Sequence, residues 1–174
     1  MGIPPVDPAN PLRGPRWLAE PYARFGRTPM GRWLGINVLT PVDPYLLRWS
    51  GGRASIFGIY RHVQLTVPGR TSGVPRTVQL IYFTEDEDVV LMASSFGRPD
   101  YPAWYRNVLA HPTVTLTTDG ESHPYVAREV EGEERDELFD KATTMYAGFA
   151  DYQRLIDEAG RHLPIIRCAP VDAG

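Results

Sequence analysis

The sequence predicts an α+β domain built on an antiparallel barrel or sheet, with helices at its margins. From residue 60 onward the apolar residues recur at every second position, which is the period of a half-buried strand. The strand-like segments follow one another through short turns, of which Asp119-Gly120 is typical of a hairpin. Segments with helical spacing stand between groups of strands instead of after every strand. This order favours hairpin-connected strands over a parallel sheet.

Five segments are predicted strands, and a sixth near the end of the chain completes the set. In HVQLTV the residues Val63, Leu65 and Val67 fall on one face, and TVQLIYF alternates in the same way. The nearly continuous apolar run DVVLMAS is typical of a strand that is covered on both faces. The predicted strands lie at 62–67, at 77–83, at 88–94, in the two arms of a hairpin over 113–130, and at 163–169.

The helices are predicted from apolar spacing and from breaker residues. Residues 101–112 carry apolar side chains at i, i+3, i+4, i+7 and i+8, and residues 132–160 form two helices that break near Ala147 and Gly148. Residues 16–26 are amphipathic but contain Pro21, so they form either a broken helix packed on the body, which we favour, or a surface-seeking arm. Residues 43–53 are a further short helical segment.

The length of 174 residues fits one compact domain with its own core. We divide it into an extended and helical N-terminal arm over 1–42 and a barrel domain over 43–174. The first sixteen residues contain five prolines and are expected to be a lead-in rather than core. Cys168, in the apolar run LPIIRCAP, is expected to be a core residue. With no long apolar segment and no secretion-signal pattern, a cytoplasmic location is expected.

The charge is divided unequally along the chain, although its net value is only -3. Residues 1–76 carry 10 arginines against three acidic residues, and the remainder carries 8 basic and 18 acidic residues. The basic half is where an anionic ligand or an anionic membrane surface is expected to bind. Nucleic acid is disfavoured, because the overall balance is acidic and no basic stripe with interleaved aromatic residues is present.

Several common catalytic patterns do not occur in this sequence. No G-x-G-x-x-G follows the first strand, and GRTSGVPR lacks the Lys-Ser or Lys-Thr of a P-loop, which disfavours dinucleotide and nucleoside-triphosphate sites of those types. The serine of GRTSG stands one place too late for the G-x-S-x-G elbow of serine hydrolases. The four histidines have no metal-ligand spacing, so no metal site is predicted.

The segment VPGRTSGVPRTVQL, from Val67 to Leu80, is more polar than a turn requires. Two glycines let the backbone curl so that several N–H groups can face one anion, and arginine and hydroxyl side chains add further donors. The sequence therefore predicts a phosphate or carboxylate cradle formed by Gly69, Arg70, Thr71, Ser72, Gly73 and Arg76. A solvated hairpin with ordinary surface arginines is the alternative that the residues by themselves leave open.

Five motifs in this order resemble the deazaflavin (F420)-dependent nitroreductase and quinone reductase family of actinobacteria. They are LTVPGRTSGVPRTVQL, LMASSFG, PAWYRNVLAHP, TMYAGFADYQ and the terminal LPIIRCAP, and the resemblance runs from about Ser50 to Pro170. The resemblance implies a split β-barrel akin to FMN-binding, pyridoxamine-phosphate-oxidase-like domains. It also implies that reduced F420 is the cofactor and that a hydride passes to a quinone, a nitroaromatic, an enone or another hydrophobic, electron-poor acceptor.

The resemblance also implies roles for individual residues. The loop residues Gly69, Arg70, Ser72 and Arg76, with Thr71 and Gly73 beside them, would hold the phosphate and oligoglutamate tail of the cofactor. Ala93, Ser94 and Ser95 would lie near the deazaflavin ring, and Trp104 would support that pocket. Tyr146 and Tyr152 would line the acceptor side, and Ser94 would donate a hydrogen bond or a proton to the reduced acceptor. From spacing alone, Trp104 and the tyrosines are equally ordinary core residues of amphipathic helices.

The chain departs from the family pattern at four positions. Members usually have lysine at the position of Thr71 and many have another at Ser95, while Ile81 and Phe149 stand where an aromatic residue and a tyrosine are common. The loss of both lysines motivates an alternative, a non-catalytic split-barrel protein that binds a lipid-like ligand; FMN or haem in the same barrel is a third hypothesis. A quinone is the expected small-molecule partner. The protein is expected to be a monomer or a homodimer. Its N-terminal arm is expected to make peripheral contact with the inner face of the membrane.

Overall fold

The fold is that of a computed structural model, which describes residues 2–13, 16–35, 42, 49, 59–95, 98, 100–157 and 160–171. Within these residues six strands are formed. They are β1 (His62–Pro68), β2 (Pro75–Glu85), β3 (Asp88–Met92), β4 (Thr113–Thr118), β5 (Glu121–Glu129) and β6 (Ile165–Pro170). All six predicted strands are therefore confirmed, with bounds that differ by a few residues.

The helices of the described residues lie at the margins of the strands, as predicted. They are α1 (Arg16–Arg27), α2 (Pro29–Leu34), α3 (Ala103–Ala110), α4 (Gly132–Met145) and α5 (Gly148–Asp157). The predicted break between the last two helices is present, and Tyr146 and Ala147 form it. The helix predicted over 43–53 lies outside the described residues apart from Trp49. No helix in the described part of the chain is long and apolar enough to cross a membrane.

The strands close into one antiparallel barrel in the order β1-β2-β3-β6-β5-β4, with β4 returning to β1. The register places Leu65 of β1 opposite Val78 of β2 and also opposite Leu116 of β4. Directly opposed residues of antiparallel strands share a face, so these side chains point together into the barrel. Leu65 and Leu116 are fully buried there. The antiparallel barrel of the expected α+β class is thus confirmed, and alternating apolar residues fill its interior.

The N-terminal segment is part of the core, so the expectation that it is only a lead-in was wrong. Ile3 and Val6 are buried among the barrel residues. Val6 exchanges hydrogen bonds with Thr84, whose Oγ1 accepts from the Val6 N–H at 2.9 Å and whose N–H donates to the Val6 carbonyl at 3.0 Å. The hydroxyl of Tyr82 donates to the Pro4 carbonyl at 3.0 Å. Proline-rich, extended backbone can supply such edge contacts without forming a strand. The division of the chain at residue 42 stays a prediction.

Helix α1 continues through Pro21, so the predicted interruption was wrong. The helix ends in a turn in which the hydroxyl of Thr28 donates to the Phe25 carbonyl at 2.7 Å and accepts from the Gly31 N–H at 3.0 Å. Thr28 therefore caps α2, and Pro29 occupies its first turn, where a missing N–H costs nothing. Gly31 is required there, because a Cβ atom would lie 1.9 Å from the Phe25 carbonyl oxygen.

Cys168 lies on β6 and is fully buried, as predicted. Burial raises the pKa of its thiol to about 12, because the apolar surroundings disfavour the thiolate. A thiol that stays protonated is a poor nucleophile, so Cys168 acts as a small apolar core residue.

Candidate functional site

The loop between β1 and β2 is closed by its own hydrogen bonds. The Gly69 N–H donates to the Val74 carbonyl at 2.9 Å, the Gly73 N–H donates to the Gly69 carbonyl at 2.7 Å, and the Val74 N–H donates to Ser72 Oγ at 3.3 Å. Gly73 has a φ of +66°, and a Cβ atom on Gly69 would lie 2.7 Å from Ser72 Oγ. Gly73 is therefore needed for this curled backbone, and Gly69 lets Ser72 Oγ approach the chain closely.

A helix residue that the sequence analysis did not single out holds this loop in place. The Arg70 N–H donates to Asn107 Oδ1 at 3.1 Å, and Asn107 is buried on α3. Trp104 lies one turn earlier on the same helix and is also buried. The helix that holds the loop therefore also carries Trp104. The signal in the sequence was a lone amide on the apolar face of the helix, between Trp104 and Val108.

The charged and hydroxyl groups of the loop face solvent. Arg70, Thr71, Ser72 and Arg76 are all exposed. Neither arginine forms an ion pair with a residue that the structure describes. The N–H groups of Gly69, Arg70, Gly73 and Val74 are used inside the protein. An anion at this loop would therefore meet mainly guanidinium and hydroxyl donors, with the backbone contributing less than the sequence suggested.

The segment that follows β3 carries the second group of predicted site residues. Ala93 is buried, and its N–H donates to the Pro164 carbonyl at 2.9 Å, which ties it to the start of β6. Ser94 is half-buried, and Ser95 has a φ of 44°, in the left-handed region that few residues other than glycine adopt. Ser95 therefore turns the chain sharply just after Ser94. Phe96 and Gly97 of the same motif lie outside the described residues.

The two predicted acceptor-side tyrosines belong to a cluster of four aromatic rings. The hydroxyls of Tyr146 and Tyr152 are 3.2 Å apart and share a hydrogen bond. The ring of Tyr146 also meets the rings of Tyr60 and Phe149 edge to face, with centroids 5.8 and 5.3 Å apart. Tyr60 was not singled out by the sequence analysis, because no local pattern connects it to residues that lie about ninety positions away. We call Tyr60, Tyr146, Phe149 and Tyr152 the aromatic cluster.

The phenols of Tyr60 and Tyr146 stay neutral at physiological pH. Burial raises the pKa of Tyr60 to about 12, with a smaller contribution from the neighbouring Tyr146. Burial also raises the pKa of Tyr146, to well above its usual range, and the contact with Tyr152 adds to the effect. A neutral phenol donates a hydrogen bond but does not act as a base.

Helix α1 lies over the aromatic cluster. A Cβ atom on Gly26 would be 3.2 Å from the hydroxyl of Tyr146. Arg27 forms an ion pair with Asp151 of α5, and this contact together with Arg154 lowers the pKa of the Asp151 carboxyl. Of the two alternatives for residues 16–26, packing on the body is thus the one observed.

A separate surface cleft of about 550 Å³ lies beside α4 and α5 and contains none of the predicted site residues. Its walls include Glu131, Arg135, Phe139, Gln153 and His162. Gln153 Oε1 accepts from Arg135 and from the Leu163 N–H at 3.0 and 2.8 Å, so this amide joins the two helices to the segment before β6. The polar groups of the cleft thus connect helices, and the cleft is not the predicted cofactor site.

Comparison with known proteins decides which family carries this arrangement. The model of the F420H2-dependent quinone reductase family matches residues 48–170. The chain belongs to the F420H2-dependent quinone reductase family. The resemblance seen in the sequence is thereby confirmed. The chain is an F420-dependent oxidoreductase, and reduced coenzyme F420 is the cofactor of its family.

Individual relatives agree with this assignment. A putative F420H2-dependent quinone reductase of Mycobacterium tuberculosis (strain ATCC 25618 / H37Rv) is 29% identical over 101 residues, which are 58% of this chain and 82% of that protein. A second F420H2-dependent quinone reductase of the same organism is 28% identical over 62% of this chain and 75% of its own length. A solved F420H2-dependent reductase (FDR-A) has 36% identity and a TM-score of 0.56, covering 62% of this chain and 92% of its own. Its barrel supports the split-barrel class.

The residues of the site fit an anionic cofactor tail. The two exposed arginines of the loop are not neutralised by any carboxylate in the described part of the chain. Guanidinium groups match phosphate and carboxylate oxygens in charge and in hydrogen-bond geometry. The sequence departs from the usual lysine at Thr71, but the described loop still presents two free cations.

Proposed function

We propose that this chain transfers a hydride from reduced F420 to a hydrophobic, electron-poor acceptor, with a quinone as the first candidate. The observation that carries the proposal is the loop from Gly69 to Arg76, which presents two unpaired arginines and is held against the Trp104 helix by Asn107. Nitroaromatics and enones are further candidates, because they are also electron-poor and can accept a hydride. The bound cofactor supplies the hydride, so the protein needs to bind, orient and exclude water.

Arg70, Arg76 and Ser72 are proposed to bind the phosphate and oligoglutamate tail. Each charge-assisted hydrogen bond to such a ligand contributes about 1.5–3 kcal/mol, so two arginines can hold the tail without the usual lysine. Thr71 and Ser72 add hydroxyl donors at the same surface. Gly73 gives the backbone its curled shape, and the side chains of this loop are all exposed to solvent.

Ser94 is proposed to act on the acceptor, with Ala93 and Ser95 shaping the backbone around the ring. Its hydroxyl would donate a hydrogen bond, or a proton that solvent replaces, to the acceptor oxygen that becomes negative as the hydride arrives. Tyr146 and Tyr152 are proposed to line the acceptor side. Because both carry a hydroxyl within a buried aromatic cluster, they suit a flat, apolar acceptor with a polar edge.

Titration of the purified protein with F420, followed by turnover with a soluble menaquinone analogue, tests this proposal. We expect micromolar or tighter binding and oxidation of the reduced cofactor by the quinone. Arg70→Ala should weaken F420 binding by about ten- to a hundredfold, and Thr71→Lys should strengthen it by about tenfold, because each changes one charge-assisted contact.

Arg128→Ala is the matched control, because Arg128 is an exposed arginine on β5 that is paired with Glu134 instead of lying on the loop. Its F420 affinity should equal that of the wild type. Absence of F420 binding in the wild type, or equal losses in Arg70→Ala and Arg128→Ala, would contradict the proposed tail site. Binding without turnover of any quinone or nitro acceptor would contradict the proposed reaction.

We also propose that the N-terminal helices contact a membrane surface, where quinones reside. Trp17, Phe25, Met30 and Trp33 are large apolar residues that α1 and α2 leave exposed, and Arg24 beside them is an exposed cation. Aromatic and cationic side chains together favour the interface of an anionic bilayer. This proposal is compatible with the packing of α1 on α5, which uses Arg27 on another part of the helix.

Sedimentation with vesicles that contain anionic phospholipid tests the membrane proposal. The double variant Trp17→Ser, Trp33→Ser should lose most of the vesicle-bound fraction, and Leu155→Ser, which changes an exposed apolar residue on α5, should not. An unchanged bound fraction in the double variant would contradict the proposal.

The oligomeric state, monomer or homodimer, also stays a prediction, and light scattering is its test. A solved relative with 36% identity is described as a domain-swapped dimer.

A further inference from the structure

Gln79 is a buried amide whose oxygen has no hydrogen-bond partner in the described part of the chain. The residue lies in the middle of β2 and is 9% exposed, and its Oε1 is fully covered. Buried side-chain polar atoms nearly always have a partner, because leaving one unpaired costs its full desolvation. An unpaired oxygen at this position therefore needs an explanation, and a ligand that donates to it is one.

The position of Gln79 in the sheet places it near the predicted ring site. Its neighbours Val78 and Leu80 pack against the core, so by alternation Gln79 points to the outer face of the barrel. The register of β2 with β3 runs from Glu85 opposite Asp88 to Tyr82 opposite Leu91. Counting three further residues along each chain reaches Gln79 and Ser94. The observed pairing ends at Leu91, so this count gives only the direction: Gln79 and Ser94 both lie beyond the same end of the β2–β3 ladder.

The same strand leads directly to the proposed tail site. Arg76 lies three residues before Gln79 on β2, which corresponds to about 10 Å of extended chain. By alternation Arg76 itself points to the opposite face at the exposed end of β2, so the proposal requires a ligand whose tail is bound at this end to extend along the outer face toward Gln79. Gln64, directly opposite on β1, shares that face. It is only half-buried and has no covered, unpaired oxygen.

We propose that Gln79 binds the pyrimidine edge of the deazaflavin ring. This edge presents an N–H between two carbonyl groups, so it offers one donor flanked by acceptors. A primary amide is its complement, because Oε1 accepts from the ring N–H while Nε2 donates to a neighbouring carbonyl. For this contact the side chain would have to turn away from the covered position that it has in this structure. Gln79 is then a specificity residue for the ring, in contrast to the arginines, which bind the tail; the inference rests on the proposed function.

If the proposal is right, Gln79→Met should affect the stability of the ligand-free protein and the binding of F420 in opposite directions. Gln79→Met keeps the size and shape of the side chain but removes the unpaired oxygen, so the ligand-free protein should be as stable as the wild type or more stable. The same change removes both hydrogen bonds to the ring, so F420 binding should weaken by about tenfold. A purely structural amide would show the reverse pattern, with lower stability and unchanged binding.

The experiment compares wild type, Gln79→Met and the matched control Gln64→Met by thermal unfolding without ligand and by F420 titration at two salt concentrations. The wild type and Gln64→Met should bind alike. The loss in Gln79→Met should be independent of salt, because the amide is neutral, whereas the loss in Arg70→Ala should shrink at high salt. Wild-type affinity in Gln79→Met, or a ligand-free midpoint that falls further than in Gln64→Met, would overturn the proposal.

A second measurement uses the deazaflavin head compound without its phosphate tail, together with the same compound methylated on the ring N–H. The wild type should bind the methylated compound about tenfold more weakly, and Gln79→Met should bind both compounds equally. Equal binding of both compounds by the wild type would overturn the role of Gln79 alone. Failure of the wild type to bind F420 at all would instead overturn the proposed function, and this inference with it.

Discussion

The loop from Gly69 to Arg76 and the aromatic cluster differ in how far the protein itself satisfies their side chains. The loop side chains are exposed, and its two arginines have no carboxylate partner in the described residues, while its backbone is held by internal hydrogen bonds. In the cluster, Tyr146 contacts three other rings, shares a hydrogen bond with Tyr152 and is covered by α1. The loop thus has a fixed backbone and side-chain donors without partners, whereas the side chains of the cluster are packed against one another.

This difference indicates that the two regions respond to substitution in different ways. Changing a loop side chain should remove a proposed contact with the ligand and leave the fold intact, because surface substitutions rarely change stability by more than a few tenths of a kcal/mol. Changing the cluster disturbs packing that several elements share, so stability should fall, and the proposed binding of the acceptor should fall with it.

Gly148→Val gives the largest expected effect and tests whether the cluster is as tightly packed as the contacts indicate. A Cβ atom at this position would lie 2.2 Å from the ring of Tyr146, so the ring or the start of α5 must move. We expect a loss of about 3 kcal/mol in the free energy of unfolding, measured by denaturant titration. Ala147→Val, at the exposed neighbouring position, is the control. If both variants unfolded at the same denaturant concentration, the cluster would be less constrained than described.

Asn107→Leu gives a smaller effect and tests the connection between the two kinds of region. It removes the acceptor of the Arg70 N–H while keeping the position apolar and filled, so the loop loses its attachment to α3. We expect the free energy of unfolding to fall by about 1–2 kcal/mol and F420 affinity to fall by about tenfold. Leu109→Ala, an exposed change on the same helix, should alter neither. F420 affinity equal to the wild type in Asn107→Leu would show that the loop needs no anchor.

Much of the fold followed from local pattern, and the failures have a common cause. The alternating residues of β1 and the Asp119-Gly120 turn gave strands that the structure confirms, because period and turn chemistry act within a few residues. Ile3 and Val6 were misjudged, since their burial depends on Thr84 and Tyr125, which lie far along the chain. Pro21 was also misjudged, since α1 runs through it, and the same helix contacts α5 through Arg27.

The candidate site divides in the same way. The glycines, arginines and serine of the loop stood out in the sequence because they lie together between two predicted strands, although the residues by themselves also fitted a solvated hairpin. Asn107, Tyr60 and Gln79 were not, because a single buried amide or ring has no local signature. Their significance arises only when separate elements meet.

The sequence by itself determined the strands, the hairpin, the break between α4 and α5 and the polar loop, because each depends on short-range backbone preference and on the spacing of apolar side chains. The tertiary structure alone decided that β4 returns to β1, that the N-terminal segment enters the core and that α1 covers Tyr146. These features depend on contacts between residues that are distant along the chain, and such contacts form only when burying the shared surface outweighs the entropy of closing the intervening chain.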